Sequence, residues 1–199
     1  KEVVNSETGI KKSHLLSHVG VVSLPTYPKV IFATDGAMNI SPTPEQKVEI
    51  IEAAVSLAHS LGYEQPKVGL VSAVEKVNPK IQSTLDAKAD VEHYQDKDIN
   101  FLIDGPFAVD NLVSFESVKQ KGIESPVAGD CDILVFPNLD GGNIFYKTCM
   151  FLAGGKSAGL ILGAKVPIVL TSRADTAEAK LNSIILAVVN ANGLSNSSN

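Results

Sequence analysis

The chain has 199 residues, of which 44% are hydrophobic and 20% charged, and its net charge is -5 at pH 7. This composition is typical of a globular protein with one large domain, and the scattered Lys and Arg residues exclude the basic patch of a nucleic-acid-binding protein. Two cysteines without a CxxC pair argue against a zinc site or a disulfide scaffold, and the absence of a transmembrane-length apolar run or a signal peptide predicts a cytoplasmic protein without membrane contact.

The first predicted elements form a hairpin. Residues 17–24 and 29–34 are rich in β-branched and apolar residues, and a proline-rich turn lies between them. Two strands joined by so short a link are expected to pair antiparallel.

Helices and strands alternate along the rest of the chain. Thr43 followed by Pro44 predicts the N-cap and first residue of a helix. In chain order, the predicted elements are a helix over 44–61, a strand over 67–73, a helix over 83–95, a strand over 101–104 that ends at Gly105 and Pro106, a helix over 114–121, a strand over 132–137, a helix over 143–153, strands over 160–162 and 168–171, and a helix over 175–191. The last helix is expected to bury Ile184, Ile185, Val188 and Val189.

This alternation predicts an α/β fold in which a mixed sheet carries helices on both faces. In open sheets of this kind, ligands bind beyond the carboxyl ends of the strands. Most loops that follow the predicted strands contain polar side chains together with Gly or Arg. These loops contain Asp35 with Gly36, Ser72 with Ala73, Asp104 with Gly105 and Pro106, the segment 138–143, and Ser172 with Arg173.

The segment that contains Asp140, Gly141, Gly142 and Asn143 has two competing interpretations. Two glycines at the opening of a helix let an anion approach free backbone N–H groups, and the Asn143 amide could donate to the same anion. Alternatively, Asp140 is a plain N-cap and the glycines serve the turn. The spacing matches neither a Walker loop nor a dinucleotide-binding fingerprint.

A second candidate site follows the predicted strand over 168–171. The Arg173 guanidinium is suited to binding phosphate, the Ser172 hydroxyl could donate to an oxyanion, and Asp175 could cap the next helix. The competing interpretation is a surface loop in which Arg173 pairs with a carboxylate. The four histidines are dispersed, and His18 is interpreted as a structural residue of the first strand.

Four segments of the chain resemble the phosphate acetyl- and butyryltransferase family, and most closely its butyryl or branched-chain members. The longest are 127–147, with PNLDGGNIFYK, and 163–180, with VLTSRAD; shorter blocks lie at 35–39 and 104–111. The resemblance covers about 17–191. It implies a two-lobed α/β fold like that of isocitrate and isopropylmalate dehydrogenases, with the N-terminal part of the first lobe missing, so that 1–199 is an incomplete acyltransferase domain.

The resemblance also implies roles for individual residues. Ser172 and Arg173 match a Ser-Arg pair that contacts the acyl phosphate. Acetyl members carry an acidic candidate base near the position of Ala179, so Asp175 and Glu178 become the nearby candidates here. The predicted substrate-binding and phosphate-binding residues are Asp35, Asn39, Asp104, Gly105, Asp140, Gly141, Gly142, Asn143 and Lys147.

The implied reaction is acyl-CoA + phosphate = acyl phosphate + CoA, by direct attack of the thiol in a ternary complex. Coenzyme A, acyl phosphate and inorganic phosphate are then substrates; no tightly bound cofactor and no metal are expected, and the family implies a homodimer or larger homo-oligomer. The alternatives are a phosphate acetyltransferase, a non-catalytic CoA-binding or phosphate-binding protein, and an NAD-dependent oxidoreductase on the related fold.

Overall fold

The structure is a computed structural model that describes residue 10 and residues 13–171 and 175–196. Within these residues the strands are β1 (Ser17–Ser23), β2 (Val30–Thr34), β3 (Lys67–Val71), β4 (Leu102–Phe107), β5 (Ile133–Val135) and β6 (Lys156–Leu162). The helices are α1 (Pro44–Ser60), α2 (Gln82–Tyr94), α3 (Val109–Val113), α4 (Phe115–Lys121), α5 (Leu139–Phe151) and α6 (Ala177–Asn196).

The described strands form one mixed sheet in the order β4-β3-β5-β2-β1-β6. β2, β3, β4 and β5 pair in parallel, whereas β1 is antiparallel to both β2 and β6. The predicted hairpin is confirmed, with Val19 opposite Thr34. Because β1 runs in reverse, its first residues lie beside the carboxyl ends of β2 and β6. The two-lobe arrangement implied by the resemblance stays a prediction.

Helices cover both faces of the sheet, as the sequence predicts. On one face, Phe32 and Val68 pack with residues of α1, α2 and α6 such as Leu186. On the other face, Ile31 and Leu134 pack with residues of α3, α4 and α5. Within the described residues, no helix combines the length and apolar character needed to cross a membrane.

Two strand predictions need correction. β4 does not stop at Asp104 but continues through Gly105 and Pro106 to Phe107, which the sheet tolerates because β4 is an edge strand. The predicted strand over 168–171 is wrong: its one pairing with β6 is an isolated bridge between Ile161 and Ile168. An apolar run was the only signal for that strand, and Leu170 is in fact exposed.

The two helices that flank the candidate site begin differently from the prediction. α5 starts at Leu139, and the Asn138 side chain, not Asp140, caps it by accepting from the Gly141 N–H at 2.9 Å. α6 starts at Ala177, and the Thr176 hydroxyl accepts from the Ala179 N–H at 3.1 Å. The residue that precedes each helix therefore supplies the cap.

The predicted core of the last helix is also wrong. Ile184, Ile185 and Val188 are 53%, 52% and 56% exposed, whereas Ser183 and Leu186 are buried. The buried face of α6 combines the apolar Leu186 with the small polar Ser183. The Ser183 hydroxyl bonds the sheet directly: it accepts from the Gly159 N–H at 3.0 Å and donates to the Ala179 carbonyl at 2.8 Å. Ile184, Ile185 and Val188 face away from the sheet.

Candidate functional site

A cavity of about 420 Å³ lies where the reversed strand β1 meets the helices α5 and α6. His18 of β1 and Gly159 of β6 lie on the sheet side of this cavity. The remaining walls come from the loop after β2, the first two turns of α5, the end of the 168–171 segment and the start of α6. The lining residues used below are Gly36, Gly142, Asn143, Tyr146, Lys147, Thr171, Asp175 and Ala179.

Asp35 organises the loop after β2. Its buried carboxylate accepts hydrogen bonds from the backbone of Ala37 at 2.8 Å, of Met38 at 2.9 Å and of His18 at 3.1 Å. The Asn39 side chain donates to the same carboxylate at 2.6 Å. Asp35 and Asn39 thus fix the loop, while the neighbouring Gly36 lines the cavity; their predicted contacts with substrate stay a prediction.

Gly142 of α5 and Gly36 of the loop after β2 have a packing role that sequence reasoning missed. A Cβ atom at Gly142 would lie 2.5 Å from the Asp35 carbonyl oxygen, and one at Gly36 would lie 2.9 Å from the Gly142 carbonyl carbon. The Asn143 side chain donates to the Gly36 carbonyl at 3.0 Å. Glycine at 36 and 142 therefore lets the β2 loop and the start of α5 touch through their backbones.

The expectation of free amides at the start of α5 is wrong for both glycines. The Gly141 N–H donates to the Asn138 side chain, and the Gly142 N–H donates to the Asn138 carbonyl at 3.2 Å. An anion would have to displace these bonds. Asp140 and Gly141 are also not among the described residues that line the cavity.

Lys147 brings positive charge to the cavity. Its ammonium lies 5.7 Å from the centre of the Tyr146 ring and 5.8 Å from that of Phe151, a cation–π arrangement that holds the side chain along α5. Lys147 also lines an adjoining cavity of about 330 Å³ between α5 and α6. Glu178 lies in that second cavity, where its carboxylate pairs with Lys156 at 2.7 Å.

Ser172 and Arg173 lie outside the described residues. Their described neighbours, Thr171 and Asp175, both line the same cavity as Gly142 and Asn143. The described residues that flank the second predicted loop therefore lie at the same cavity as the start of α5.

Asp104 and Gly105 lie far from this cavity. They belong to β4, and three strands separate β4 from β1, which corresponds to roughly 19 Å at about 4.8 Å per strand. The Asp104 carboxylate accepts from the Gly105 N–H at 2.8 Å, and both residues line a different cavity near Lys121. The end of β4 and the loop after β2 do lie at the same end of the sheet, because these strands run parallel, but the strand order places them apart.

His18 is a residue of the cavity that sequence reasoning treated as structural. Its ring meets the Tyr146 ring edge-on at 6.5 Å, and the Tyr146 hydroxyl is hydrogen-bonded to that of Ser157 at 2.8 Å. Its Nδ1 atom is buried and has no hydrogen-bond partner in the described part of the chain. Burial lowers the pKa of His18, and the negative charges of Asp35 and Asp175 oppose that shift. The Ser17-His18 start of a strand was the only available signal.

The described residues contain no group of three or more His, Cys, Asp or Glu side chains arranged to hold a metal ion. Cys131 and Cys149 are both buried and unpaired, as the sequence predicts.

Comparison with known proteins places these features in a family. The chain is 46% identical to a phosphate acetyltransferase of Thermotoga maritima over 95% of its own length and 65% of that protein. It is 44% identical to a probable phosphate butyryltransferase of Bacillus subtilis, over 94% of its own length and 63% of that protein. The chain thus spans slightly less than two-thirds of these curated relatives.

A solved structure and a family profile agree with this result. A branched-chain phosphotransacylase from Enterococcus faecalis superposes with a TM-score of 0.88 at 41% identity, covering 94% of this chain and 67% of that one. The profile described as "Phosphate acetyl/butaryl transferase" matches residues 1–188. Because that match spans nearly the whole chain, the chain belongs to the phosphate acetyl/butaryl transferase family.

Proposed function

We propose that the protein transfers a short acyl group, butyryl or branched-chain, between coenzyme A and inorganic phosphate. One observation carries the proposal: in a chain of this family, the residues on either side of Ser172 and Arg173 line the same cavity as the start of α5 and Lys147. That cavity offers a polar and cationic wall for a phosphoryl group and lies between elements from separate parts of the chain.

Arg173 and Lys147 are proposed to hold the phosphate group. A guanidinium binds two phosphate oxygens through its planar fork, and an ammonium adds a mobile point charge. Lys147 lies between the two adjoining cavities, so it can reach a phosphate in either one. Ser172 is proposed to donate a hydrogen bond to the acyl carbonyl oxygen as negative charge develops there.

The acyl group is proposed to move in one step, from phosphate to the CoA thiol. A covalent acyl-cysteine would need an accessible thiolate. Burial raises the pKa of Cys131 to about 12 and also raises the pKa of Cys149. Neither cysteine is among the described residues that line the 420 Å³ cavity, which supports direct transfer in a ternary complex.

The acetyl group is the second candidate substrate. The observation that favours it is the 46% identity to a protein named phosphate acetyltransferase, against 44% to one named probable phosphate butyryltransferase. The butyryl and acetyl groups differ by two methylenes, each of which changes discrimination by about 1–3 kcal/mol, so both acyl groups are expected to react but at different rates.

The test measures thioester formation by the full-length protein from CoA and butyryl, isobutyryl or acetyl phosphate. We expect butyryl or isobutyryl phosphate to give the highest kcat/KM. Lys147→Ala and Arg173→Ala should each raise the KM for acyl phosphate about tenfold or more, which corresponds to losing about 1.4 kcal/mol of binding. The control is Lys88→Ala, an exposed lysine of α2 paired with Glu92.

Absence of thioester with all three acyl phosphates would refute the proposed function. An unchanged KM for acyl phosphate in both variants would leave the function standing and refute the roles given to Lys147 and Arg173.

The protein is further proposed to act as a cytoplasmic homodimer or larger homo-oligomer. Two buried cysteines without a disulfide are typical of a reducing compartment. The exposed apolar residues of α6 supply a surface that a second copy could cover.

A further inference from the structure

Two glycines at the base of the cavity leave room for the ring of His18. Gly20 and Gly159 face each other across β1 and β6. A Cβ atom at Gly159 would lie 3.1 Å from His18 Nε2, and one at Gly20 would lie 3.1 Å from the Tyr146 ring. Side chains at these two positions would crowd His18 and Tyr146, so the glycines leave room for both rings at the base of the cavity.

The surroundings of His18 suit a proton acceptor. The charged and titratable groups that face it within the described residues are Asp35 after β2, Tyr146 and Lys147 on α5, and Asp175 before α6. Its backbone N–H is bonded to Asp35, but its Nδ1 atom has no partner there. Burial lowers its pKa, so the neutral imidazole prevails at neutral pH.

Other acceptors near the cavity are less suited to a thiol. Asp35 already accepts four hydrogen bonds, and Glu178 pairs with Lys156 in the adjoining cavity. Position 179, on the α6 wall, is an alanine. Asp175 remains, but carboxylates are as a class weaker bases than imidazole toward a thiol.

We infer that His18 is the general base that accepts the proton of the CoA thiol, an inference that rests on the proposed acyl transfer. As the proton passes to the neutral imidazole, the sulfur electron pair attacks the acyl carbon. The bond between that carbon and the phosphate oxygen breaks, and phosphate leaves with the bonding electrons. The imidazolium then returns its proton to phosphate or to solvent. In the reverse direction, the same imidazolium protonates the departing CoA thiolate.

The test compares wild-type full-length protein with His18→Gln and His18→Asn. Both variants keep the backbone hydrogen bond to Asp35. We expect kcat at pH 7 to fall roughly 10²-fold or more, while the KM values for CoA and acyl phosphate change less than about threefold. The matched control is His59→Gln, because His59 is also a histidine with an unpartnered buried nitrogen in the described residues but is not among those lining the cavity.

The pH profile separates a base from a positioning residue. In the wild type, kcat/KM should decline on the acid side of neutral pH, as His18 gains a proton, because burial lowers the pKa of His18 from its ordinary value. In the variants this limb should vanish, and activity should rise with pH as the thiol ionises by itself near pH 8.5. This profile would not arise from a packing defect.

Three outcomes would overturn the inference. The first is a variant with near-normal kcat, and the second is a variant whose loss lies in KM with an unchanged pH limb. The third needs no variant: a wild-type profile without any acid limb. If the wild type itself makes no thioester, the proposed function fails first, which distinguishes the two failures.

Discussion

Two buried carboxylates of this chain have opposite surroundings. Asp35 accepts four hydrogen bonds at the start of the cavity loop. Asp90 of α2 is only 1% exposed, and both its oxygens lack a hydrogen-bond partner in the described part of the chain. Burial raises the pKa of Asp90 to about 7, with the charge of Lys47 opposing the shift. Asp35 therefore holds the site together, whereas Asp90 makes stability depend on pH.

Asp90→Asn should remove that pH dependence. In the wild type, the folded state holds a proton on Asp90 that the unfolded state releases near pH 4, so stability should fall between about pH 4 and 7. The integrated loss is at most about 4 kcal/mol. The asparagine variant should match the wild type near pH 4 and exceed its free energy of unfolding at pH 8. Urea unfolding across this range measures both.

The control for Asp90 is the exposed Asp96→Asn on the segment after α2. Its free energy of unfolding should follow that of the wild type at every pH. A constant difference between Asp90→Asn and the wild type from pH 4 to 8 would contradict the raised pKa of Asp90.

Among the elements, the contact between the β2 loop and α5 depends on Gly142. Gly142→Ala should destabilise the protein by about 1–3 kcal/mol, because the new methyl would overlap the Asp35 carbonyl and push the loop from the helix. Acyl transfer should fall as well, since both segments wall the cavity. Chemical denaturation and steady-state assays at matched temperature give the two values.

Gly141→Ala is the matched control, one residue away in the same helix. The nearest atom to a Cβ there lies 3.4 Å away, an ordinary contact, so alanine should be neutral or stabilise the helix by up to about 1 kcal/mol. Equal destabilisation by both substitutions would show that the close approach of Gly142 to Asp35 is not what requires glycine.

The same region shows how far the sequence predicts the structure. The alternation of elements and the antiparallel hairpin could be read from local patterns, and so could the candidate loops after the strands. The reason for Gly142 could not, because it depends on a loop that is distant in sequence. In the same contact, Asn143 bonds Gly36, which is 107 residues away along the chain. The separation of Asp104 from the cavity depends on strand order, which no local pattern encodes.

Helix α6 shows a second limit. Periodicity correctly predicts that one face is apolar, but it does not say what covers that face. The side of α6 that packs on the sheet carries Ser183 and Leu186. Ser183 accepts a hydrogen bond from Gly159, and Leu186 packs in the apolar core. A polar residue in the interface with the sheet thus reverses the usual assignment of the apolar face to the core.

At the scale of the whole molecule, the reversed strand β1 creates the site. Because β1 is antiparallel to β2, His18 near the start of β1 lies beside the carboxyl end of β2. If β1 ran parallel to β2, the last residue of β1 would lie there instead. α5 follows the central strand β5, whereas α6 packs on the edge strand β6. The cavity therefore lies between one helix that follows a central strand and another that packs on the edge of the sheet. Chemistry there depends on several elements holding their relative positions.

The outer face of α6 leads to the last prediction, which concerns association. Leu181, Ile184, Ile185, Val188 and Val189 form an exposed apolar stripe along this helix. A stable interface buries about 800 Å² on each partner with an apolar centre, and a helix face of this kind can provide that centre. Ile184→Asp together with Val188→Asp should therefore shift the full-length protein from dimer or larger assembly toward monomer in analytical ultracentrifugation.

The control places an aspartate at an exposed position of another helix, Ala89→Asp on α2, and should leave the sedimentation profile unchanged. Dissociation should also weaken acyl transfer, because α6 carries one wall of the cavity and loses the partner that fixes it. A wild-type protein that sediments as a monomer at all concentrations would contradict the prediction. So would a doubly substituted protein that keeps its assembly state, since two buried aspartates at the centre of an interface would cost several kcal/mol each.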